Sequence, residues 1–506
     1  MARHPARTRR RRPCLGQAAA HRRGAALRPH AAIRGHRAFL AGERALTLSV
    51  THARLAAAAS AAVGFAATGW AYYPGLFTYD SLDQFRQART GVFNDWHPPA
   101  MAALWRALNA AHEGPELLFL LHAALFWCGL ACFAMSIAAR RPRLAMAAPL
   151  VGLLPFVFNY LGLLWKDVAL VAAWTFAAGI VALRRAQGGR LGAAWGAAAW
   201  AALAYGALVR VNTLFAAAPL ALWLFGRDAS ARPYWRAAAA LALTTALILA
   251  AHAAVATAVR AERQHPMASL IVFDLVGASP RESAALLPGA FNAAQRAAAA
   301  RCYTPARWDS LGEGACAFLP DALDAQGLWG GPALTRAWLA GIAAHPGAYL
   351  GHRLAYMNAL LRWRAPAAAD WFMLSEMRDA HFAHRPNALF AFYRALCERL
   401  GRSPLFRPYV WLLLDLAAAA MAMAAQPEPQ RAAAAALSLS GALYLLTYAV
   451  VGVGSDFRYA YWSIVAALLA WTALAAARWS QPRMAQRIAL GGLVVLAAAV
   501  ATSVWR

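Results

Sequence analysis

The sequence predicts an all-α polytopic membrane protein, a bundle of about eleven transmembrane helices, and two properties of the 506-residue chain carry that prediction. Hydrophobic residues make up 61% of the chain and charged residues only 14%, a balance typical of membrane proteins. The hydrophobic residues also form recurrent runs of about 18–25, each long enough to cross ~30 Å of hydrocarbon as a helix. The predicted spans are 54–73, 115–138, 144–162, 166–183, 191–209, 212–226, 235–259, 407–424, 432–452, 458–477 and 487–504.

The residues before the first apolar run are rich in Arg, His, Ala and Pro. Twelve arginines lie within residues 1–45 beside one acid, Glu43, so we expect a disordered basic tail there. No short apolar region with a cleavage site follows it directly, which argues against a signal peptide; a wrongly assigned start codon is an alternative.

The formal net charge is +27, from 49 Lys and Arg against 22 Asp and Glu. Such a charge can indicate a nucleic-acid-binding protein, but here most arginines lie in the tail and in short loops between apolar runs. Cytoplasmic loops have this composition, so we expect a bacterial inner-membrane protein with a cytoplasmic N-terminus and no nucleic-acid partner. The loops assigned to the cytoplasm hold Arg140, Arg141 and Arg143, then Arg184, Arg185 and Arg190, then Arg227, Arg232 and Arg236, then Arg478, Arg483 and Arg487.

The opposite side, which this topology makes periplasmic, holds the more polar connections. They are the first outer loop 74–114, the junctions 163–167, 209–212 and 453–458, and the long segment 260–406. That segment is too polar to span as a whole and is expected to form a small, mostly helical domain; 334–363 could be a surface helix with a bend near His345-Pro346. The predicted divisions are the tail 1–45, an N-terminal transmembrane module 46–259, the periplasmic segment 260–406 and C-terminal transmembrane helices 407–506.

Two cysteine pairs stand out. Cys302 and Cys316 lie in the segment 260–406, where a periplasmic location would permit a disulfide worth roughly 3 kcal/mol. Cys128 and Cys132 lie four residues apart in an apolar run and are expected to be small core residues.

The first outer loop is the most informative polar stretch. Pro74-Gly75 ends the first helix, and four polar residues then fall on one face of a short amphipathic helix: Asp80, Asp83, Gln84 and Gln87. The loop ends in Asn94-Asp95-Trp96-His97-Pro98-Pro99. A partly desolvated carboxylate at the membrane edge can act as a general base, whereas a solvated loop with helix-capping acids is the simpler interpretation.

Lys166-Asp167 starts a helix on the same side. Lys166 is the only lysine among 49 basic residues, which suggests a chemical reason for retaining it. An ammonium group binds phosphate as a point charge, and Asp167 could orient Lys166 or a metal ion. An interfacial anchor with a helix-start acid is the alternative.

Two further junctions carry arginine on the predicted outer side. Arg210-Val211-Asn212 departs from the cytoplasmic pattern of arginine, which favours anion binding over anchoring. Asp456-Phe457-Arg458-Tyr459 resembles the wall of a site, although a snorkelling arginine is common at helix ends.

Ionisable residues inside the predicted spans are costly in lipid and are functional hypotheses by default. Asp415 is expected to pair with Arg407, and His122 and His252 are expected to be hydrogen-bonded core residues.

Together these motifs resemble the GT-C superfamily of membrane glycosyltransferases, closest in style to bacterial relatives of the protein O-mannosyltransferases and of the lipid A aminoarabinose transferase. The topology matches over 54–504. The resemblance rests on Pro74-Gly75 followed by Asp80, on His97-Pro98-Pro99, on Lys166-Asp167, on Arg210-Val211-Asn212, and on Asp456-Phe457-Arg458-Tyr459.

The resemblance implies transfer of a sugar from a polyprenyl phosphate to a glycan, lipid or protein acceptor outside the cytoplasm, among membrane lipids. It places Asp80 near the reacting centre, with Asp83 as its rival and Asp167 at a second acidic position. The phosphate would be held by Lys166, Arg210 or Arg458. The other substrate-binding candidates are Asp95, His97, Asn212, Asp456 and Tyr459, and participation of a divalent metal ion stays open.

Two other classes of function compete. A transporter or lipid flippase would place charges at mid-membrane and broken helices in matched halves, whereas here the charges lie at helix ends. A non-catalytic envelope assembly protein would tolerate the combined loss of Asp80, Lys166 and Asp456.

Overall fold

A computed structural model describes residues 29–188, 192–224, 234–280, 283–364, 375–424 and 428–478. Contacts divide the chain into two units, Met1–Ser49 and Val50–Arg506. In the first, a helix begins at Pro29, within the predicted tail; residues 1–28 of that tail lie outside the described residues. The second unit contains every contact discussed below.

Helices account for the regular structure of the described residues, apart from two isolated β-bridges. The first ten are α1 Pro29–Tyr72, α2 Tyr79–Thr90, α3 Ala100–Asn109, α4 Glu116–Ile137, α5 Pro142–Ala147, α6 Pro155–Leu161, α7 Lys166–Ala186, α8 Ala193–Leu208, α9 Ala217–Leu224 and α10 Tyr234–Ala258. The others are α11 Met267–Ala278, α12 Ala293–Cys302, α13 Asp309–Gly312, α14 Phe318–Ala325, α15 Pro332–Ala344, α16 Pro346–Leu361, α17 Ala388–Leu400, α18 Pro408–Met423, α19 Pro429–Val451 and α20 Tyr461–Ala476.

Six helices of the described residues are long and apolar enough to cross a membrane, as expected of a helical membrane protein. They are Val50–Tyr72, Glu116–Ile137, Lys166–Ala186, Ala238–Ala258, Pro429–Val451 and Phe457–Ala476. The predicted span 144–162 corresponds to two helices, Pro142–Leu153 and Pro155–Leu161, bent by 59°. The predicted spans 191–209, 212–226 and 407–424 correspond to the shorter helices α8, α9 and α18, and 487–504 lies outside the described residues. Eleven spans therefore stay a prediction.

Two glycines allow α4 and α7 to pack backbone against backbone. A Cβ atom on Gly179 would lie 2.2 Å from the carbonyl oxygen of Gly129, and one on Gly129 would lie 2.5 Å from the carbonyl carbon of Thr175. Small residues at a helix–helix interface permit this approach in membrane proteins. This packing holds α7, which begins at Lys166, against α4.

Gly179→Ala should therefore destabilise the protein by about 1–3 kcal/mol, because the added methyl group forces the two helices apart. The readout is the thermal unfolding midpoint of the purified protein in nanodiscs. Gly196→Ala in α8 is the matched control, since among the described residues no atom lies within 4 Å of its added Cβ. That variant should unfold at the native temperature or slightly above it, and an equal loss in both would contradict the packing argument.

The segment 260–406 is helical over most of its described residues. The stretch 334–363 forms α15 and α16, which meet at His345, where the sequence predicts a bend. The structure joins Cys302 and Cys316 in a disulfide, while Cys128 and Cys132 are free. The expected core position is wrong for Cys128, which is exposed on α4, and Cys132 is partly buried.

Removing this disulfide with the double variant Cys302→Ser/Cys316→Ser should lower the free energy of unfolding by about 3 kcal/mol, since the unfolded chain regains loop entropy. Thermal unfolding with and without a reductant measures the effect. Reductant should lower the native midpoint to that of the variant and leave the variant unchanged; a reductant-insensitive native midpoint would contradict the bridge.

Connections assigned to one side of the membrane meet in the structure. Arg140 and Arg478 were both predicted on the cytoplasmic side, and both contact Glu428: the Arg140 guanidinium lies 3.4 Å from its carboxylate, which accepts a 2.9 Å hydrogen bond from the Arg478 backbone N–H. The polar junctions predicted for the opposite side also meet, as described below.

The predicted Asp415–Arg407 pair is wrong. Asp415 accepts a 2.6 Å hydrogen bond from the Ser463 hydroxyl of α20, and Arg407 donates to the carbonyl of Arg362 at 2.9 Å. Arg407 precedes α18 while Asp415 lies two turns inside it, so α20 supplies the nearer polar group. His122 has the expected core role, with its Nε2 2.9 Å from the Tyr205 hydroxyl.

Candidate functional site

Backbone pairing brings the first outer loop against the start of α7. The N–H of Leu76 donates to the carbonyl of Gly162 at 2.7 Å, and the N–H of Leu164 donates back to Leu76 at 3.0 Å. Two residues after Leu76, the Thr78 hydroxyl accepts a 2.6 Å hydrogen bond from the Trp165 indole N–H. These bonds place the start of α2 beside the start of α7.

Asp80, the second residue of α2, is bound by Arg458 from the last junction. The Arg458 guanidinium lies 3.0 Å from Asp80 Oδ2 and 2.9 Å from Asp456, and it stacks over the Trp165 ring at 4.4 Å. Burial alone would raise the pKa of Asp80, but the charges of Arg458 and Lys166 outweigh it and hold that pKa below its usual range. Asp80 is therefore ionised at physiological pH.

His97 lies between Lys166 and the other carboxylate oxygen of Asp80. The Lys166 ammonium lies 2.5 Å from His97 Nδ1, and His97 Nε2 lies 3.8 Å from Asp80 Oδ1. Burial and the Lys166 charge lower the pKa of His97 to about 3, against a smaller opposing effect of Asp80. His97 is consequently a neutral imidazole, whose Nδ1 accepts from Lys166 and whose Nε2–H points toward Asp80.

Arg210 forms a buried ion pair with Asp167, the residue that follows Lys166. Its guanidinium also donates to Asn212 at 3.0 Å and to the Tyr448 hydroxyl at 2.9 Å. Asp167 is only 1% exposed, and Arg210 is the buried counter-ion of its carboxylate. These contacts hold the start of α7 against α19.

Tyr459 links the contacts around Asp80 to those around Asp167. The guanidinium groups of Arg210 and Arg458 lie over its ring at 5.0 and 5.2 Å. The contacts close into a ring of side chains from four chain segments, which we call the polar ring. Its members are Asp80, His97, Lys166, Asp167, Arg210, Asp456, Arg458 and Tyr459. All were predicted from sequence as site residues, and Asn212 lies beside them on Arg210.

The junction that carries Asp456 and Arg458 is held by the segment 260–406. Three successive carbonyl groups, those of residues 452–454, accept hydrogen bonds from Arg353 at 2.7 Å, the Trp308 backbone at 2.7 Å and the Tyr356 hydroxyl at 2.8 Å. Arg353 is in turn 2.5 Å from Asp274, which also binds His352 at 3.0 Å. This segment therefore positions one wall of the polar ring.

A cavity of about 560 Å³ adjoins Asp80 on the side of the segment 260–406, and we call it the aromatic–acidic cleft. Its lining consists of Tyr79, Asp80, Trp96, Arg263, Gln264, His265, Trp308, Asp309, Gly312, Glu313, Pro320, Asp321, Asp324 and Trp329. Asp80 belongs to both the polar ring and the cleft, so a ligand in the cleft can reach it.

Two predicted site residues lie apart from the polar ring. Asp83 binds Arg86 at 2.5 Å and Gln87 at 2.7 Å on its own helix. Asp95 accepts a 2.5 Å hydrogen bond from the backbone of Gln264, which ties the first outer loop to the segment 260–406.

A larger cavity of about 750 Å³ lies next to α2, and Arg86, Arg89 and Arg106 line it. Arg89 is paired with Glu113 at 2.6 Å, and Arg106 donates to backbone carbonyls of α2. No member of the polar ring lines this cavity, so we place the candidate site at the ring.

Several structural partners were not singled out from sequence. Tyr448 lies inside an apolar span, where its sequence context does not mark it as a site residue. Trp308 and Trp329 lie in the segment 260–406, outside any motif. Asp274 offered a usable signal, because it is the sole charged residue of the apolar helix α11.

No protein-family model and no curated protein matches the chain. Among the described residues, no group of three or more His, Cys, Asp or Glu side chains is arranged to hold a metal ion.

Proposed function

We propose that this chain is a membrane glycosyltransferase of the GT-C type, built on about eleven spans, that moves a sugar from a polyprenyl phosphate to an acceptor hydroxyl at the periplasmic face of a bacterial inner membrane. The observation that carries the proposal is the polar ring. It gathers three carboxylates, a lysine and two arginines from junctions as distant in sequence as Asp80 and Arg458.

The proposed reaction is a single displacement. Asp80 accepts the proton of the acceptor hydroxyl, whose oxygen bonds to the anomeric carbon of the sugar. The bond from that carbon to the phosphate oxygen breaks, and its electron pair leaves with the polyprenyl phosphate. Lys166 and Arg458 stabilise the negative charge that develops on this leaving group.

The ion pair between Asp80 and Arg458 adds a condition to this mechanism. While the pair holds, the pKa of Asp80 stays low and its carboxylate is a weak base. A donor phosphate would compete for Arg458, and loss of that partner would raise the basicity of Asp80. Donor binding thus prepares the base for the acceptor.

The leaving product, polyprenyl phosphate, gives a direct test of the phosphate role. Lys166→Met in purified protein in nanodiscs should weaken its binding by about 10- to 100-fold, as expected for a hydrogen bond to a charged group. Lys166→Arg should retain part of the affinity, and Arg86→Met, beside the larger cavity, should retain all of it.

A panel of labelled polyprenyl-phosphate sugars then tests turnover by the native protein. Release of polyprenyl phosphate that depends on an acceptor supports the proposal. Unchanged product affinity in Lys166→Met, or no release from any donor, would count against it.

A further inference from the structure

The aromatic–acidic cleft has the size and position of an acceptor site. Its volume of about 560 Å³ falls within the range of small-molecule sites, ~300–1,000 Å³. Asp80 lines it and also contacts Arg458 of the polar ring. Neither Lys166 nor Arg458 lines the cleft, so a hydroxyl held there can meet the proposed base outside the proposed phosphate site.

Aromatic rings form much of the cleft wall. Trp308 and Trp329 lie with ring centroids 5.8 Å apart, and Tyr79 and Trp96 add two further rings. The backbone of Trp308 is bonded to residue 453, and the Trp329 indole N–H donates to Gln264 at 3.0 Å, so both positions are fixed. Flat apolar faces of this kind suit the C–H faces of saccharide rings.

The polar groups of the cleft are mostly acidic. Its carboxylates are Asp80, Asp309, Glu313, Asp321 and Asp324, against one guanidinium, Arg263, and one imidazole, His265. Burial raises the pKa of Asp309, and the neighbouring carboxylates of Glu313 and Asp456 raise it further. Carboxylates accept hydrogen bonds from hydroxyl and ammonium groups, and ammonium groups also bind the faces of aromatic rings. An anionic acceptor would be repelled.

We propose that the aromatic–acidic cleft binds the acceptor of the proposed transferase and that this acceptor is a saccharide bearing free amino groups. The name acceptor for this ligand rests on the proposed function, but binding of the ligand in the cleft does not depend on any transfer reaction. Saccharide rings stack on Trp308 and Trp329, amino groups lie among the carboxylates, and one hydroxyl reaches Asp80.

Three probes test the assignment on the full chain in nanodiscs by calorimetry at pH 6.5. A β-1,4-linked glucosamine trimer carries the proposed features, its N-acetylated twin lacks only the charges, and a lysine hexamer carries charge without sugar rings. We expect the glucosamine trimer to bind at least tenfold more tightly than either of the others. Trp329→Ala should weaken it about tenfold, and so should the double variant Glu313→Gln/Asp321→Asn. Glu113→Gln, beside the larger cavity, is the matched control and should leave binding unchanged.

Each other result overturns the assignment. Equal binding of the N-acetylated trimer would remove the amino groups from the proposal, and tighter binding of the lysine hexamer would make the cleft a site for basic peptides. Loss of affinity in Glu113→Gln would place the ligand outside the cleft. Binding of no probe would contradict the assignment of a saccharide ligand. A protein that binds the trimer but releases no polyprenyl phosphate would contradict the proposed function alone, whereas transfer to acceptors that do not occupy the cleft would contradict this inference alone.

Discussion

Replacing Asp80 by Asn should reduce the rate of sugar transfer by about 10²–10⁴-fold, the usual contribution of a general base. The substitution keeps the size of the side chain and removes its ability to take a proton. Asp80 is part of the polar ring and lines the cleft, so no other carboxylate occupies the same position. The measurement is initial transfer rate at saturating donor in membranes or nanodiscs.

Asp83→Asn is the matched control for that experiment. Asp83 lies one turn along the same helix, but its carboxylate binds Arg86 and Gln87. Its loss should change the transfer rate less than about twofold, since an exposed ion pair contributes little. Full activity in Asp80→Asn, or an equal loss in Asp83→Asn, would contradict the assignment of the base. Thermal unfolding of both variants shows whether either loss reflects folding instead.

The electrostatics of the polar ring add a pH dependence to this prediction. The pKa of Asp80 is lowered and that of His97 is about 3, so both groups keep the same charge between pH 5 and 8. Because kcat/KM reports ionisations of the free enzyme, we expect no acidic limb from either residue in that interval. An apparent pKa near 6.5 that disappears in His97→Asn would show that His97 titrates.

The lengths of apolar runs predicted the six long apolar helices of the described residues, because hydrocarbon thickness sets how many apolar residues a span needs. They did not predict the break after Leu154, where Pro155 requires an extended residue before it and divides the span 144–162. The single prolines at the starts of α18 and α19 have no such effect, since proline is tolerated in the first turn of a helix.

The sequence predicted that the members of the polar ring lie on the same side of the membrane. It did not predict which of them contact one another. In the predicted topology, alternating spans bring every second junction to one face, which puts Asp80, Lys166, Arg210 and Asp456 on the same side without setting the distances between them. Which carboxylate meets which arginine depends on helix packing, and periodicity contains no information about contacts 378 residues apart. None of the six long apolar helices falls in the segment 260–406, so hydrocarbon thickness gave no prediction for the acids and tryptophans that it contributes to the cleft.

Breaking the ion pair between Arg210 and Asp167 should lower the stability of the protein more than any other change proposed here. Asp167 is 1% exposed and Arg210 8%, so Arg210→Met leaves a carboxylate buried without its counter-ion. Breaking such a pair typically costs 3–5 kcal/mol, and the phosphate role suggested for Arg210 predicts no such loss. The thermal midpoint and the folded fraction on size exclusion, both without lipid donor, measure the effect.

Two further variants separate lost charge from lost packing. Arg210→Met/Asp167→Asn removes both charges and should recover much of the stability, since no buried ion remains. Arg86→Met breaks an exposed pair, in which Arg86 is 71% exposed, and should cost no more than about 1 kcal/mol.

If the double variant is as unstable as Arg210→Met, the bonds of Arg210 to Asn212 and Tyr448 carry the stability instead. If Arg210→Met unfolds normally but loses affinity for polyprenyl phosphate, Arg210 binds the phosphate directly, and Lys166 and Arg458 are not its only cationic partners.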